Sequence, residues 1–368
     1  MRVLLLSDTF SEHTEKWALG LAAEGIEIGL FSFNKGSYSW YNNKANITLL
    51  YESDKPLNPD NNFSKLSYLK YVKKLKAAIQ LFQPDVLHAH YATSYGLIGA
   101  LSGFHPFVIS AWGTDVMKFP QKNFINKAVL SNNLKQADLI CATSNTIKEY
   151  LRQVTSKEVS VIPFGVDVET FSKKEVNTIF DKNDFVFGSI KGLEEIYNID
   201  VMIKAFKKLK QKFPDRKIKL LIIGVGTQDK NLRDLTSELN ISNDVIFTGR
   251  VPFDEIANYF NMLDVLVNIS NYESFGVSVI EAMACQKPVI ATNTGGLKEI
   301  IENEEFGALV EVGNVEQTAL AMEKYMLNDE LRLSTGVKAR QKVIEKYNWK
   351  NNLQQMIAEY VKLISDKK

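Results

Sequence analysis

VLVNISNYESFGVSVIEAMACQ, residues 265–286, decides the fold. VLVNIS (265–270) is apolar almost throughout and reads as a strand buried on both faces. NYESFG (271–276) reads as a loop and VSVIEAMACQ (277–286) as a helix. Strand, loop and helix in that order form the unit of a parallel α/β sheet. Glu273 then sits at the carboxyl end of a strand, where open α/β sheets bind ligands. Gly276 lets the backbone come close to such a ligand. Ser278 falls in the first helical turn, where free N–H groups and the positive dipole end seat phosphate oxygens. Glu281, three residues after Ser278, can accept hydrogen bonds from a sugar diol. One local unit can therefore hold a sugar, a phosphate and a second sugar in order, which is the layout of a nucleotide sugar. The same residues also fit a capped helix, with Ser274 or Ser278 as the cap and both glutamates favouring its dipole.

Outward from this unit the alternation repeats. Strands are expected at 2–7, 26–33, 47–52, 85–90, 107–112, 139–143 and 159–164. A second set is expected at 185–190, 219–225, 245–250, 265–270, 288–293 and 308–312. Helical periodicity fills gaps between them, as in VMIKAFKKLKQKF (201–213), DEIANYFNML (254–263) and VEQTALAMEKYML (315–327). Two sets predict two Rossmann-like, doubly wound parallel-sheet domains facing a central cleft. The division is 1–166, 167–345 and a C-terminal helix, 346–368, packing back on the first domain. A chain of 368 residues suits two domains of about 150–180 residues.

Composition narrows the function. Apolar content of 45% and charged content of 24% are those of a soluble globular protein. A net charge of +1 gives no bias toward nucleic acid. Two distant cysteines and four histidines without an HExxH pattern give no zinc signature and fit a reducing cytoplasm. The apolar run VLLL near the start is too short for a signal peptide, and no run approaches the roughly 20 residues that span a bilayer.

ESFGVSVIE (273–281) resembles the E-x7-E motif of family 4 retaining glycosyltransferases of the GT-B fold. VIPFGVD (161–167) resembles the inter-domain linker of that family, and LIIGVG (221–226) its strand-to-glycine turn. The segments 247–270 and 287–301 are similar to its donor half, and 84–116 to a bacterial subgroup. The resemblance implies that Glu273 contacts the donor hexose and steadies positive charge near its anomeric carbon. It implies backbone contacts from Phe275, Gly276 and Val277 beside Ser274 and Ser278, and ribose binding by Glu281. Gly224 and Gly226 would pass close to the nucleotide, and Arg250 would lie near its base. Gly295 and Gly296 would support the site from behind or serve only a tight turn.

Three positions depart from the pattern. The first loop, SDTFSEHTEKW (7–17), lacks the paired glycine, and His13 and Thr14 stand there instead. They could offer an imidazole and a hydroxyl to an anion, or Thr14 could cap the next helix. Lys191 stands near the family's arginine, while Tyr197 and Asn198 occupy the place of its Lys-Gly pair, so one cation is missing. A lysine can still pair with phosphate without arginine's fork geometry. Trp112 replaces a histidine that touches the donor sugar. It would offer a ring face to the sugar, or pack in the core. His88 and His90 are expected on opposite faces of their strand. His90, nearer the strand end, is the better candidate for the sugar side together with Asp115.

The function expected is transfer of a hexosyl-type sugar from a nucleotide sugar, UDP-linked in preference to GDP-linked, to a glycan or lipid-linked acceptor in bacterial surface polysaccharide synthesis. Transfer would proceed on one face with retention. Lys191 and helix N–H groups would steady the leaving diphosphate. No DxD-like pair follows a suitable strand, so no catalytic metal or other cofactor is expected. The alternatives are a non-catalytic nucleotide-sugar-binding or scaffold subunit, and a nucleotide-sugar epimerase. FSKLSYLKYVKKLKAAIQLF (63–82) has five lysines and no acid. Leu66, Leu69, Val72 or Lys73, and Lys76 or Ala77 would track one side of a helix. That helix could lie on an anionic membrane surface or present an ordinary solvated face. The expected location is the cytoplasm, including the inner face of the plasma membrane.

Overall fold

A computed structural model describes residues 1–34, 39–53 and 64–366, without the side chains of 64–67 and 69. The chain divides into two compact units, Met1–Phe164 with Lys350–Lys368, and Gly165–Trp349.

The first unit runs β1 (Arg2–Leu6), α1 (Glu12–Ala23), β2 (Glu27–Ser32), β3 (Ile47–Glu52), α2 (Ser64–Phe82), β4 (Val86–His90), α3 (Ser94–Ser102), β5 (Phe107–Ala111), α4 (Thr114–Met117), α5 (Phe124–Gln136), β6 (Leu139–Ala142), α6 (Asn145–Arg152) and β7 (Val159–Val161). Its seven strands are parallel in the order β3-β2-β1-β4-β5-β6-β7. The chain leaves β1 toward one edge and returns at β4 toward the other, so the switch point lies between β1 and β4. β4 and β5 are buried along their whole length, as continuous apolar runs covered on both faces should be.

The second unit runs β8 (Phe185–Ile190), α7 (Ile199–Lys212), β9 (Ile218–Ile223), α8 (Asp229–Glu238), β10 (Val245–Gly249), α9 (Ile256–Met262), β11 (Val265–Asn268), α10 (Val277–Ala284), β12 (Val289–Thr292), α11 (Gly295–Ile301), β13 (Ala308–Val310), α12 (Val315–Leu327) and α13 (Asp329–Lys346). Its parallel order is β10-β9-β8-β11-β12-β13, with the switch point between β8 and β11. The last helix, α14 (Trp349–Ser365), returns the chain to the first unit. There the Tyr360 hydroxyl lies 2.6 Å from His88 Nδ1, and both residues are fully buried.

One detail departs from expectation. His88 and His90 share a face, with ring centroids 4.6 Å apart, because strand residues two apart project to the same side. In α2 the stripe turned inward is Tyr71, Leu75, Ala78 and Phe82, whereas Lys73, Lys76 and Ala77 are exposed. Phe63 and the side chains of Leu66 and Leu69 lie outside the described residues. Among the described residues no helix is long and apolar enough to cross a membrane.

Candidate active site

In the second unit, adjacency of β8 and β11 brings together groups remote in sequence. Lys191 follows β8, Glu273 follows β11, and the lysine Nζ forms an ion pair with the glutamate Oε2. The two side chains are 16% and 15% exposed, so the pair is partly withdrawn from water. Lys191 Nζ also lies 4.9 Å from the centroid of the Tyr197 ring.

Backbone pairing continues past the strands and fixes these loops. Lys191 N–H donates to Ile223 O at 3.0 Å, and Leu193 N–H to Val225 O at 3.0 Å. Gly224, at φ +145°, backs directly onto the Lys191 carbonyl, and Gly226 onto Leu193. Any side chain at Gly224 would displace the Lys191 backbone, which is why a glycine stands there. Glu194 accepts from Thr227 N–H at 3.0 Å and from its hydroxyl. Asn198, in the left-handed region at φ +51°, donates to Ile269 O (3.1 Å) and Asn271 Oδ1 (2.6 Å). Asn271 N–H in turn donates to Ile196 O at 2.7 Å.

α10 opens at Gly276, φ +114°, with no side-chain cap. The N-cap position therefore falls on Gly276 and not on Ser274 or Ser278. Ser278 instead accepts from Asn268 Nδ2 at 3.2 Å, and its own hydroxyl proton stays available to an acceptor. Phe275 is buried against Tyr347, so only its backbone can serve a ligand, and Val277 starts the helix half-buried. Glu281 is 9% exposed in the second turn. Gly295 and Gly296 press on the Glu273–Phe275 backbone, and Gly296 N–H donates to Glu273 O at 2.9 Å. Arg250 is exposed one residue beyond β10.

In the first unit the corresponding switch point is packed. Ser7, just past β1, lies 2.8 Å from His90 Nδ1 and 2.6 Å from the Thr14 hydroxyl. Thr14 is fully buried inside α1, whose N-cap is Ser11, so it neither caps the helix nor faces an anion. His90 is 1% exposed, and burial holds its imidazole well below the ordinary pKa. Trp112, 7% exposed, is ringed by His90 (4.5 Å), Phe164 (5.3 Å), Tyr91 (5.7 Å) and His13 (5.8 Å), which is a packed rather than an open ring. Asp115 spends its carboxylate on the N–H groups of Ala92 (2.8 Å), Trp112 (3.2 Å) and Gly113 (2.8 Å) and so organises the loop instead of meeting a sugar directly. His13 alone of these five keeps partial exposure. It stacks on Phe164 at 4.0 Å, and desolvation, then Lys16, lower its pKa to about 4, so it presents a neutral imidazole.

Sequence reasoning missed Ser7, Asn268 and Asn271, and met Asn198 only as a departure from the family pattern. Asn198 had one readable signal, since asparagine tolerates the left-handed conformation. The others are identified only by the strand order.

Residues 2–144 match the glycosyl transferase 4-like model and residues 170–342 the glycosyl transferases group 1 model. The chain belongs to the family 4 glycosyltransferases. It is 24% identical to the N-acetyl-alpha-D-glucosaminyl L-malate synthase of Bacillus anthracis, across 84% of each chain. Its GT-B fold is shared with a sucrose-phosphate synthase from Thermosynechococcus elongatus, at TM-score 0.85 and 20% identity across 100% of both chains. The Anabaena protein HepE, solved in complex with UDP, superposes at TM-score 0.79 with 19% identity, covering 99% of this chain and 100% of HepE. Glu273 and the start of α10 both lie in the stretch 273–281.

Proposed function

We propose that the chain transfers a hexosyl-type sugar from a nucleotide sugar, UDP-linked in preference to GDP-linked, with retention and without a metal. The acceptor is a glycan or a lipid-linked sugar of bacterial surface polysaccharide synthesis. One observation carries the reading. At the switch point of the second sheet, a cation, a carboxylate and the N-terminus of α10, opened by Gly276, converge. The α10 N–H groups and Lys191 take the diphosphate, Glu273 the hexose, Glu281 the ribose and Arg250 the base edge. Leaving-group charge is steadied there, and the departing phosphate oxygen takes the acceptor's proton on the same face. The UDP bound in the HepE complex supports a uridine donor.

The lipid-surface part rests on charge. α3 packs against both α2 and α5, and α3 carries no charged residue. Lys70, Lys73, Lys74 and Lys76 of α2 are exposed, as are Lys118, Lys122, Lys127 and Lys135 around α5. Phe124 (82%) and Ile125 (56%) protrude among the latter. Lysines around protruding apolar side chains suit an anionic leaflet. The name of the Bacillus anthracis relative places a small hydroxy acid, malate, in the same acceptor screen.

The test is a thermal-shift panel of UDP, GDP, ADP and their sugar conjugates with and without magnesium. It is followed by NMR of the anomeric configuration in any product. A magnesium-independent rise with uridine compounds and an α-linked product from an α-linked donor are expected. A β-linked product, or strict magnesium dependence, overturns the mechanism. Binding without transfer to any acceptor supports a non-catalytic subunit.

A further inference from the structure

We propose that Tyr197 is a positioning residue for Lys191, and that Glu273 competes with the nucleoside diphosphate for the same ammonium. The inference rests on the donor-site reading above and goes beyond it by giving a role to a residue that replaces a cation.

Three loops carry the argument. Lys191 Nζ pairs with Glu273 and sits 4.9 Å from the Tyr197 ring centroid. The ring edge packs on Gly192, where a Cβ would lie 3.3 Å from Tyr197 Cε2. The Tyr197 turn is pinned to the loop bearing Glu273 by Asn198 and by the Asn271 N–H to Ile196 O bond. Ring, ammonium and carboxylate are therefore set by one framework. An ammonium has a small reach once its stem is packed, and the aromatic face limits where it can go. A diphosphate that recruits Lys191 must draw it from Glu273. The exchange leaves the carboxylate free to face the sugar as the phosphate gains its counter-charge. One lysine thereby serves in sequence where the family pattern supplies two cations.

The experiment is calorimetric titration of UDP, GDP and ADP into wild type, Glu273→Gln, Tyr197→Phe, Tyr197→Leu, Lys191→Met and the double variant Lys191→Met/Glu273→Gln, with melting temperatures recorded. For the diphosphate that wild type binds, Glu273→Gln should bind at least about fivefold tighter. Tyr197→Leu should bind about threefold to tenfold weaker, and Tyr197→Phe should restore wild-type affinity. Most of the gain from Glu273→Gln should vanish in the Lys191→Met background, whereas a gain from simple repulsion by the carboxylate would persist there. Equal or weaker binding by folded Glu273→Gln, a full gain without Lys191, or a Tyr197→Phe as weak as Tyr197→Leu overturns the proposal. If wild type binds none of the three diphosphates, the donor-site reading itself fails.

Discussion

Gly296 donates its backbone N–H to the carbonyl of Glu273 at 2.9 Å, and its missing side chain is what lets α11 approach that close. A Cβ at Gly296 would overlap the Phe275 backbone and the Ser274 carbonyl. Gly296→Ala should therefore move the Glu273 loop without touching any ligand. The expected cost is about 1–3 kcal/mol of stability, as for other overpacked sites. Transfer activity should fall more than tenfold at temperatures where the variant is still folded, since small misplacements of a reacting group are costly. Melting curves and kcat/KM measured together check this, and an unchanged kcat/KM would remove the supporting role.

Glu281→Ala should act differently. In the donor site proposed above, its carboxylate takes the ribose hydroxyls and not the hexose. Removing a hydrogen bond to a charged group costs about 1.5–3 kcal/mol, or roughly tenfold to a hundredfold in affinity. Kd for the bound nucleoside diphosphate should rise by that factor, and a deoxyribose analogue should lose less on mutation than the ribose form. Equal losses for both analogues would move Glu281 away from the sugar.

Much of the second unit was legible because β8, β9, β11 and β12 are buried along most of their length and so read as nearly unbroken apolar runs. The strand reading of 265–270 ran two residues past β11 for a physical reason. Ile269 and Ser270 stay buried, but their carbonyls accept from Asn198 and from the Thr292 hydroxyl (2.6 Å) rather than from a neighbouring strand. The pairing of Lys191 with Glu273 across 82 residues was not legible, because only the order β8-β11 creates it. Thr14, His90 and Trp112 read as polar or amphipathic groups near strand ends, yet they satisfy one another and Ser7 in the interior. A sequence records which groups can bond, and not whether the partner is a ligand or a neighbour.

Acid should destabilise the first unit through its histidines. Burial lowers the His88 pKa to about 3, against an ordinary 6.5. Between those values the unfolded chain holds a proton that the folded chain refuses. Stability is thus fully present above about pH 6.5 and is lost as pH falls toward 3, by up to ~1.4 kcal/mol per unit for this group. His90 and His13 add in the same direction. Urea unfolding at pH 7.5 and pH 5 should show His88→Gln losing roughly 2 kcal/mol less than wild type over that interval. Identical losses would mean that His88 is protonated in the folded chain.

Replacing exposed lysines tests the membrane contact. Lys70, Lys73 and Lys76 on α2 and Lys122 beside Phe124 point outward, so reversing their charge should leave the melting temperature within the small range of surface changes, about 0.5 kcal/mol. Each lysine near an anionic leaflet contributes about 1 kcal/mol. The fourfold glutamate variant should therefore fall off phosphatidylglycerol vesicles in co-sedimentation, while neutral vesicles bind neither form. Phe124→Ser should weaken binding to anionic vesicles further at high salt than at low salt, because the apolar contribution is not screened as the charges are. Charge reversal without loss of binding would leave α2 and α5 as ordinary solvated faces.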